Sequence, residues 1–347
     1  MANMDQSVSL QDIARIAGVS HTTVSRALRD NPVISLIVRK RIQELASEMG
    51  YTPNAIAQSL KGKRTNTIGL VVTSISDPFV GRVVRGVEEV AQKAGIGILL
   101  SVSNNNPDQE MQVMEFLHRH RVDGIITVSS KVSVEYRKRL ERIKVPTVLI
   151  NQQAETSGDL FHSVSVDDYN GARLAVGFLA NLGHQAIGYL GVTNRPLSNR
   201  RRLEGYRDAL AAVGINARDQ WIKIANSVNY DEEDDVQDGK TLLPALIQAG
   251  VSAVFCYNDM IAIGALIACR ELGLSVPQRL SIVGFDNVPF AQYITPPLTT
   301  IHQPKLRLGQ IAMEMILSML TGATVDDAVL PTEIVVREST SIFEGSA

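Results

Sequence analysis

Between Ser20 and Arg29 the chain reads SHTTVSRALR, which sets hydroxyls, an imidazole and two guanidiniums within three helical turns. At helical spacing His21, Thr22, Ser25, Arg26 and Arg29 share one face, and Val24, Ala27 and Leu28 take the other. A guanidinium can grip guanine O6 and N7 with two parallel bonds. Threonine can meet either hydrogen-bond sense or a thymine methyl, and both residue types bind phosphate. The polar face therefore carries the chemistry for reading the edges of base pairs, provided something holds it rigid.

The elements around it supply that rigidity. Ser9-Leu10-Gln11-Asp12 is an S-x-x-D capping box, Leu10, Ile13, Ala14 and Ala17 recur at helical spacing, and Gly18 suits the left-handed residue past a helix end. Ser20 can cap a second helix, with Val19 and Val24 as its hydrophobic staple. A third run caps at Ser35, carries Val38, Ile42, Leu45, Ala46 and Met49, and stops at Gly50. Two helices joined by a short Gly-containing turn make a helix-turn-helix, whose second helix can lie in the major groove. An ordinary αα-hairpin with its polar face in water is the competing reading.

Charge favours the first reading. Residues 1–64 hold nine Lys or Arg and five Asp or Glu, a net +4, while the remainder of this −2 chain is −6. A basic head on an acidic body is what a phosphate-binding module on a regulatory domain needs. The next segment, GYTPNAIAQSLKGKRTNTIGL, places Pro53 and Asn54 before a short apolar run of Ala55, Ile56, Ala57 and Leu60. Such a helix is too short to persist alone. Its apolar face could pair with a second copy, and a leucine can wedge between base steps in the minor groove; a plain interdomain linker is the alternative.

With these residues in view, the sequence resembles the LacI/GalR family of bacterial transcription regulators from Leu10 to about Ser339. The matching landmarks are DIARIAGVSHTTVSRAL, GYTPNAIAQSL, TIGLVVTSISDPF, RVDGIITV, VSVDDYNGARLA, LGHQAIGYLG, RRLEGYRDAL, AVFCYNDMIAIGAL and SIVGFDNVPFAQYITPPLTTIHQP. The resemblance implies that His21 and Thr22 choose operator bases, with Arg26 one turn on and Ser25 and Arg29 on the same DNA-facing helix. It also implies that the hinge residues Asn54, Ala57 and Leu60 meet DNA, with Leu60 as the minor-groove wedge. Thr23, Asn31 and Tyr51 are phosphate or packing residues. Ile37 and Val38 depart from the family, which is usually polar there. A homodimer on a pseudo-palindromic double-stranded operator is implied, with the two Leu60 side chains meeting at its centre.

Beyond residue 65, strand-like runs at 68–72, 97–102, 124–128, 147–151, 186–191, 253–257 and 281–285 alternate with helix-like stretches at 79–94, 170–182, 201–213, 259–272 and 304–320. Buried strands alternating with helices mean doubly wound parallel sheets, and about 280 residues is long for one sheet, so two α/β lobes are expected. The expected organisation is a helix-turn-helix domain at 1–52 and a hinge helix and linker at 53–66. One lobe takes 67–162 and 291–324, the other 163–290 and 325–340, and 341–347 form a tail. By resemblance the body is periplasmic-binding-protein-like, with Ser74, Asp77, Asn151, Arg202, Asn258 and Asp286 at strand ends facing a ligand cleft and Phe79 as a platform for an apolar sugar face. Asp77-Pro78 and Asp286-Asn287 are also good turn formers. Of the arginines in NRRR, 199–202, the RLEGY pattern selects Arg202 for the cleft. Guanidinium and carboxylate groups form paired bonds to vicinal hydroxyls, which favours a sugar effector over an apolar one and leaves a purine open.

Enzyme signatures are absent: no G-x-G-x-x-G follows the first strand, and neither G-x-x-x-x-G-K-[ST] nor G-x-S-x-G occurs. No catalytic residue and no cofactor is expected. His118 and His120, at i and i+2, do not share a helix face as metal ligands would, and no metal site is expected. Cys256 and Cys269 read as buried small hydrophobes. The acidic run YDEEDDVQD, 230–238, lacks the glycine and ligand spacing of a calcium loop and reads as a solvated loop entering a helix. No run approaches 18 apolar residues and no apolar stretch follows a basic start, so a cytoplasmic protein without membrane contact is expected. The expectation is a repressor of carbohydrate-utilisation genes controlled by a sugar between two lobes. A purine-type corepressor or a phosphocarrier protein is the alternative control; a transport-type sugar-binding protein or an α/β sugar enzyme with an accessory head is the rival class.

Overall fold

Ser9 opens α1 (Leu10–Ala17): its hydroxyl accepts from the Asp12 amide at 3.3 Å while the Asp12 carboxylate accepts from the Ser9 amide at 3.1 Å. Gly18 ends the helix at φ 66°, where a side chain would be strained. Two residues later Ser20 accepts from the Thr23 amide and starts α2 (His21–Ala27). The expected cap at Ser35 stands at the right position before α3 (Leu36–Glu48) but makes no side-chain bond to the helix. Ile13, Ala14, Val24, Ala27, Ile42 and Ala46 form the core of these three helices, with Val19 and Val38 packed against it.

The computed structural model describes residues 8–51, 64–104, 106–130, 145–153, 161–226 and 232–345. The chain divides into two units, Met1–Thr65 and Asn66–Ala347. The expected hinge residues Asn54, Ala57 and Leu60 lie outside the described residues.

The second unit contains two six-stranded sheets. The first is built from β1 (Thr67–Val72), β2 (Gly97–Val102), β3 (Gly124–Val128), β4 (Thr147–Ile150), β5 (Phe161–Val166) and β11 (Ala328–Leu330), all parallel, in the order β11-β5-β4-β3-β1-β2. The second uses β6 (Ile187–Val192), β7 (Ile222–Ala225), β8 (Ala253–Cys256), β9 (Ser281–Asp286), β10 (Thr299–His302) and β12 (Glu333–Val335) in the order β12-β10-β9-β8-β6-β7, with β12 alone antiparallel. Both sheets change winding direction at one point, between β1 and β3 and between β6 and β8, and such points open crevices at strand carboxyl ends.

Helices cover the sheets. In the first lobe these are α4 (Pro78–Lys93) and α5 (Pro107–Arg119), and in the second α6 (Asp168–Asn181), α7 (Pro196–Ala212), α8 (Glu232–Gln248) and α9 (Asp259–Glu271). α10 (Lys305–Leu320) returns to the first lobe, where Leu308, Ala312 and Ile316 join the core under β1, β3 and β4. A Cβ at Gly86 would sit 2.0 Å from the Leu306 carbonyl oxygen, so α4 and α10 pack backbone to backbone.

The lobe crossings differ from the expected bounds. β5 spans the expected break at 162 and pairs with β4 and β11, both of the first sheet; β10 lies in the second sheet, within the 291–324 expected in the first lobe, and β11 lies in the first, within the 325–340 expected in the second. The crossings run through residues 167, 303–304 and 331–332. Short strands such as Thr299–His302 are placed by ladder partners distant in sequence, which hydrophobic patterning does not register.

Candidate functional site

The first unit presents the α2 face. His21, Thr22, Arg26 and Arg29 are exposed on it. Ser25 departs from expectation: it is only 8% exposed, and its hydroxyl accepts from Arg29 Nη2 at 2.5 Å while its carbonyl accepts from Arg29 Nε at 3.0 Å. Ser25 turns inward because it stands between the core residues Val24 and Ala27, so it sets the path of Arg29 rather than projecting from the face. Thr23 bonds Ser20, Asn31 accepts from the Val33 amide, and Tyr51 packs on the head core, all local roles. Ile37 is 82% exposed; we find no structural reason for an apolar residue there.

In the second unit a narrow cleft, with a free volume of about 50 Å³, opens where the two sheets present their strand ends. Asp77, Phe79, Asn151, Arg202, Asn258 and Asp286 all line it. Ser74 does not; its hydroxyl bonds Ser76 in the loop after β1. Asp77 caps α4 through the Phe79 amide at 2.8 Å, and Asn258 caps α9 through the Ile261 amide at 2.9 Å, so turn chemistry and cleft chemistry coincide in both residues. Asn287 lies outside the cleft lining, bonded to His302 and Arg337.

Three lining residues at strand ends, Ser129, Asn151 and Asp286, have φ of 56°, 47° and 113°. Positive φ is costly without glycine, and such conformations persist where surrounding contacts enforce them. Asn151 is fixed by accepting from the Val166 amide at 3.2 Å and donating to Gln303 Oε1 at 3.2 Å. Gln303 in turn donates to Asp286 Oδ1.

The charged groups form two buried pairs. Arg202, whose side chain is 4% exposed, donates from Nε to Asp168 Oδ1 at 2.8 Å and from Nη1 to the Tyr257 carbonyl, and its guanidinium lies 3.6 Å from the Phe285 ring centroid. Its neighbours Arg200 and Arg201 are exposed and pair with Glu204. Arg195 donates to both oxygens of Asp235, at 3.3 and 3.0 Å, and Asn258 Nδ2 donates to Asp235 Oδ2 at 2.6 Å. Burial pushes the Asp77 carboxyl up, against the opposing pull of Arg195. Burial also pushes Asp286 up to about 6; Arg202 and Lys305 oppose this and Asp77 adds to it. Behind Asp286, Asp259 is fully buried, accepts from Thr300 Oγ1 and the Val288 amide, and is pushed up by burial and by Asp286. Lys305 closes this group: it is 5% exposed and its ammonium donates to the carbonyls of Asp286, Asn287 and Gln303.

Sequence reasoning missed Asp168, Arg195, Ser198, Asp235 and Tyr257, together with Ser129, Gln153 and Gln303. Asp235 was hidden in the acidic run read as solvated, yet it is 2% exposed, because its helix α8 turns it toward Arg195 and Asn258. The lobes are also tied directly, since Gln153 Oε1 of the first accepts from the Ser198 hydroxyl of the second at 3.1 Å.

Cys256 and Cys269 are free and buried, as expected. Among the described residues no group of His, Cys, Asp and Glu could hold a metal ion, and no helix is long and apolar enough to cross a membrane.

Residues 9–54 match the model of bacterial regulatory proteins of the lacI family, and residues 176–340 match that of periplasmic binding protein-like domains. The chain is 33% identical over 338 residues to catabolite control protein A of Priestia megaterium, covering 96% of this chain and 99% of that protein. It is similar to the crystal structure of the Lac repressor dimer bound to operator and an anti-inducer, with TM-score 0.84 and 27% identity, covering 97% of this chain and all of that one. A LacI family regulator from Enterococcus faecium with bound ribose has TM-score 0.70 and 29% identity, covering 80% of this chain and all of that one.

Proposed function

The chain belongs to the lacI family of bacterial regulatory proteins, and from that premise we propose that it is a homodimeric repressor of carbohydrate-utilisation genes, controlled by a sugar bound between its lobes. It is a DNA-binding transcriptional regulator and not an enzyme. The α2 face reads a pseudo-palindromic operator through His21, Thr22 and Arg26, with Arg29 beside them and the hinge residues Asn54, Ala57 and Leu60 in the minor groove. A regulator that acts on DNA is placed in the cytoplasm.

One observation carries the sugar reading: Asp286, Asn151 and Asn258 from separate strand ends and Arg202 from within α7, against the expected strand end, bring carboxylate, amide and guanidinium groups to one cleft, the mixture of acceptors and donors that hydroxyls can use. Of the lining aromatics, Tyr257 has Arg202 4.3 Å and Arg195 5.6 Å from its ring centroid, which leaves Phe79 as the apolar platform for a sugar face. Ligand closes the lobes, and lobe arrangement sets whether paired heads fit the operator. The ligand acts by its differential affinity for the two arrangements.

A thermal-shift screen of the full chain against mono-, di- and oligosaccharides and purines tests this. A sugar at 100 times its dissociation constant adds about 2.7 kcal/mol, which a melting curve resolves. That sugar should change operator affinity in a gel shift. A screen in which purines alone respond would overturn the sugar assignment and leave the regulator.

A further inference from the structure

We infer that the cleft is built against anions: its effector carries no phosphate or carboxylate, and an amino sugar binds at least as well as its uncharged parent. The inference rests on the cleft being the sugar site, and concerns what kind of sugar enters.

The charged side chains lining the cleft are Asp77, Asp168, Asp235 and Asp286 against Arg195 and Arg202, a formal −2. Among side chains, guanidinium is the group best matched to phosphate, provided its donors are free to face the ligand. Here each guanidinium already holds a buried aspartate. Arg202 spends Nε on Asp168 and Nη1 on the Tyr257 carbonyl, and its plane lies over Phe285. Arg195 spends Nη1 on both oxygens of Asp235. Turning either one to a phosphate would leave a buried aspartate without its cation, a costly exchange in a site of low dielectric.

The remaining two carboxylates come from opposite lobes. Asp77 enters from the start of α4 and Asp286 from the end of β9, and each is close enough for Asp77 to disfavour ionisation of Asp286. Lys305 favours the Asp286 carboxylate from behind but offers a ligand no donor in the cleft. Its ammonium is turned to the carbonyls of Asp286, Asn287 and Gln303, and it is absent from the lining. A ligand anion would therefore meet like charge from both walls. Hydroxyls can donate to the same oxygens, and an ammonium would neutralise part of their charge.

The test is isothermal titration of the full chain with matched sets: ribose and ribose 5-phosphate; glucose, glucosamine and glucose 6-phosphate; galactose, galactosamine and galactose 6-phosphate; trehalose and trehalose 6-phosphate. The expected result is one set whose uncharged or amino member binds at least about tenfold more tightly than its phosphate. In Asp77→Asn, whose side chain still caps α4, that gap should narrow several-fold, and likewise in Asp286→Asn. A phosphate that binds as well as its parent overturns the inference and leaves the sugar reading standing, as does a gap unchanged in both variants. Silence across every set overturns the sugar reading and this inference with it.

Discussion

The two walls of the cleft are built differently. The first lobe contributes Asp77, Phe79, Ser129, Asn151 and Gln153, a wall with one charge, whereas the second contributes both arginines and Asp168, Asp235 and Asp286. On the second wall Arg195 pairs with Asp235 and Arg202 with Asp168, which leaves Asp286 over, and the pairs are anchored further by Tyr257, Asn258 and the Phe285 ring. Groups fixed by their own neighbours lose little freedom when a ligand arrives. The second lobe is thus a preorganised platform, and the first is the cover that meets what is already held.

The strongest way to break this contrast is Arg202→Ala. Removing one partner of a buried ion pair leaves Asp168 uncompensated, and such losses cost about 3–5 kcal/mol. The variant should melt well below the parent and lose its sugar response, while Asp77→Asn on the opposite wall, which keeps the helix cap, should stay within about 0.5 kcal/mol. Chemical denaturation of both variants measures this. Equal losses would mean that the walls are equally built.

Acidity offers a smaller effect on the same wall. Burial raises the Asp286 carboxyl to about 6 and pushes Asp259 upward as well, so between the unfolded value of 3.8 and their folded values the native state holds more protons than the unfolded chain. Stability contributed by these groups is therefore present at low pH and falls as pH rises from about 4 toward 7. Asp286→Asn should flatten that fall by an amount on the order of 1–2 kcal/mol. Denaturant melts at pH 5 and pH 7 read it, and an Asp286→Asn protein with the parent's full slope would assign the titration elsewhere.

The same contrast explains what the sequence discloses. In the head, caps act over three residues: Ser9 with Asp12, Ser20 with Thr23, Gly18 between them, and all are visible in a short window. Ser25 was misplaced because its inward turn depends on Val24 and Ala27 packing against α3, a tertiary fact. In the body, continuous apolar strands such as Gly124–Val128 stand out, whereas β5, reading FHSVSV, and the four-residue β7 and β10 carry too little pattern. Among site residues, Asp77, Asn258 and Asp286 were legible because they end strands or begin helices. Arg195 finds its partner 40 residues away and Arg202 finds Asp168 across 34, so nothing local marks the pairs. Family resemblance singled out Arg202, but not the carboxylate that holds it.

The smallest expected effect lies where the walls meet. Gln153 sits on the first wall, only 6% exposed, anchored by its own donation to the Asn151 carbonyl at 2.9 Å. Its oxygen accepts from the Ser198 amide at 3.4 Å and hydroxyl at 3.1 Å, while that hydroxyl also bonds the Tyr257 phenol at 2.6 Å. Gln153→Ala removes the cross-lobe acceptor and leaves Ser198 its partner on the platform, so the second wall should keep its shape. A neutral hydrogen bond is worth about 0.5–1.5 kcal/mol, and this one can form only where the lobes meet, so its loss falls on the closed arrangement that the ligand selects and predicts sugar affinity reduced roughly two- to tenfold. If Gln153→Ala instead bound sugar as tightly as the parent, closure would owe nothing to this contact, and the cover would be held by the ligand alone.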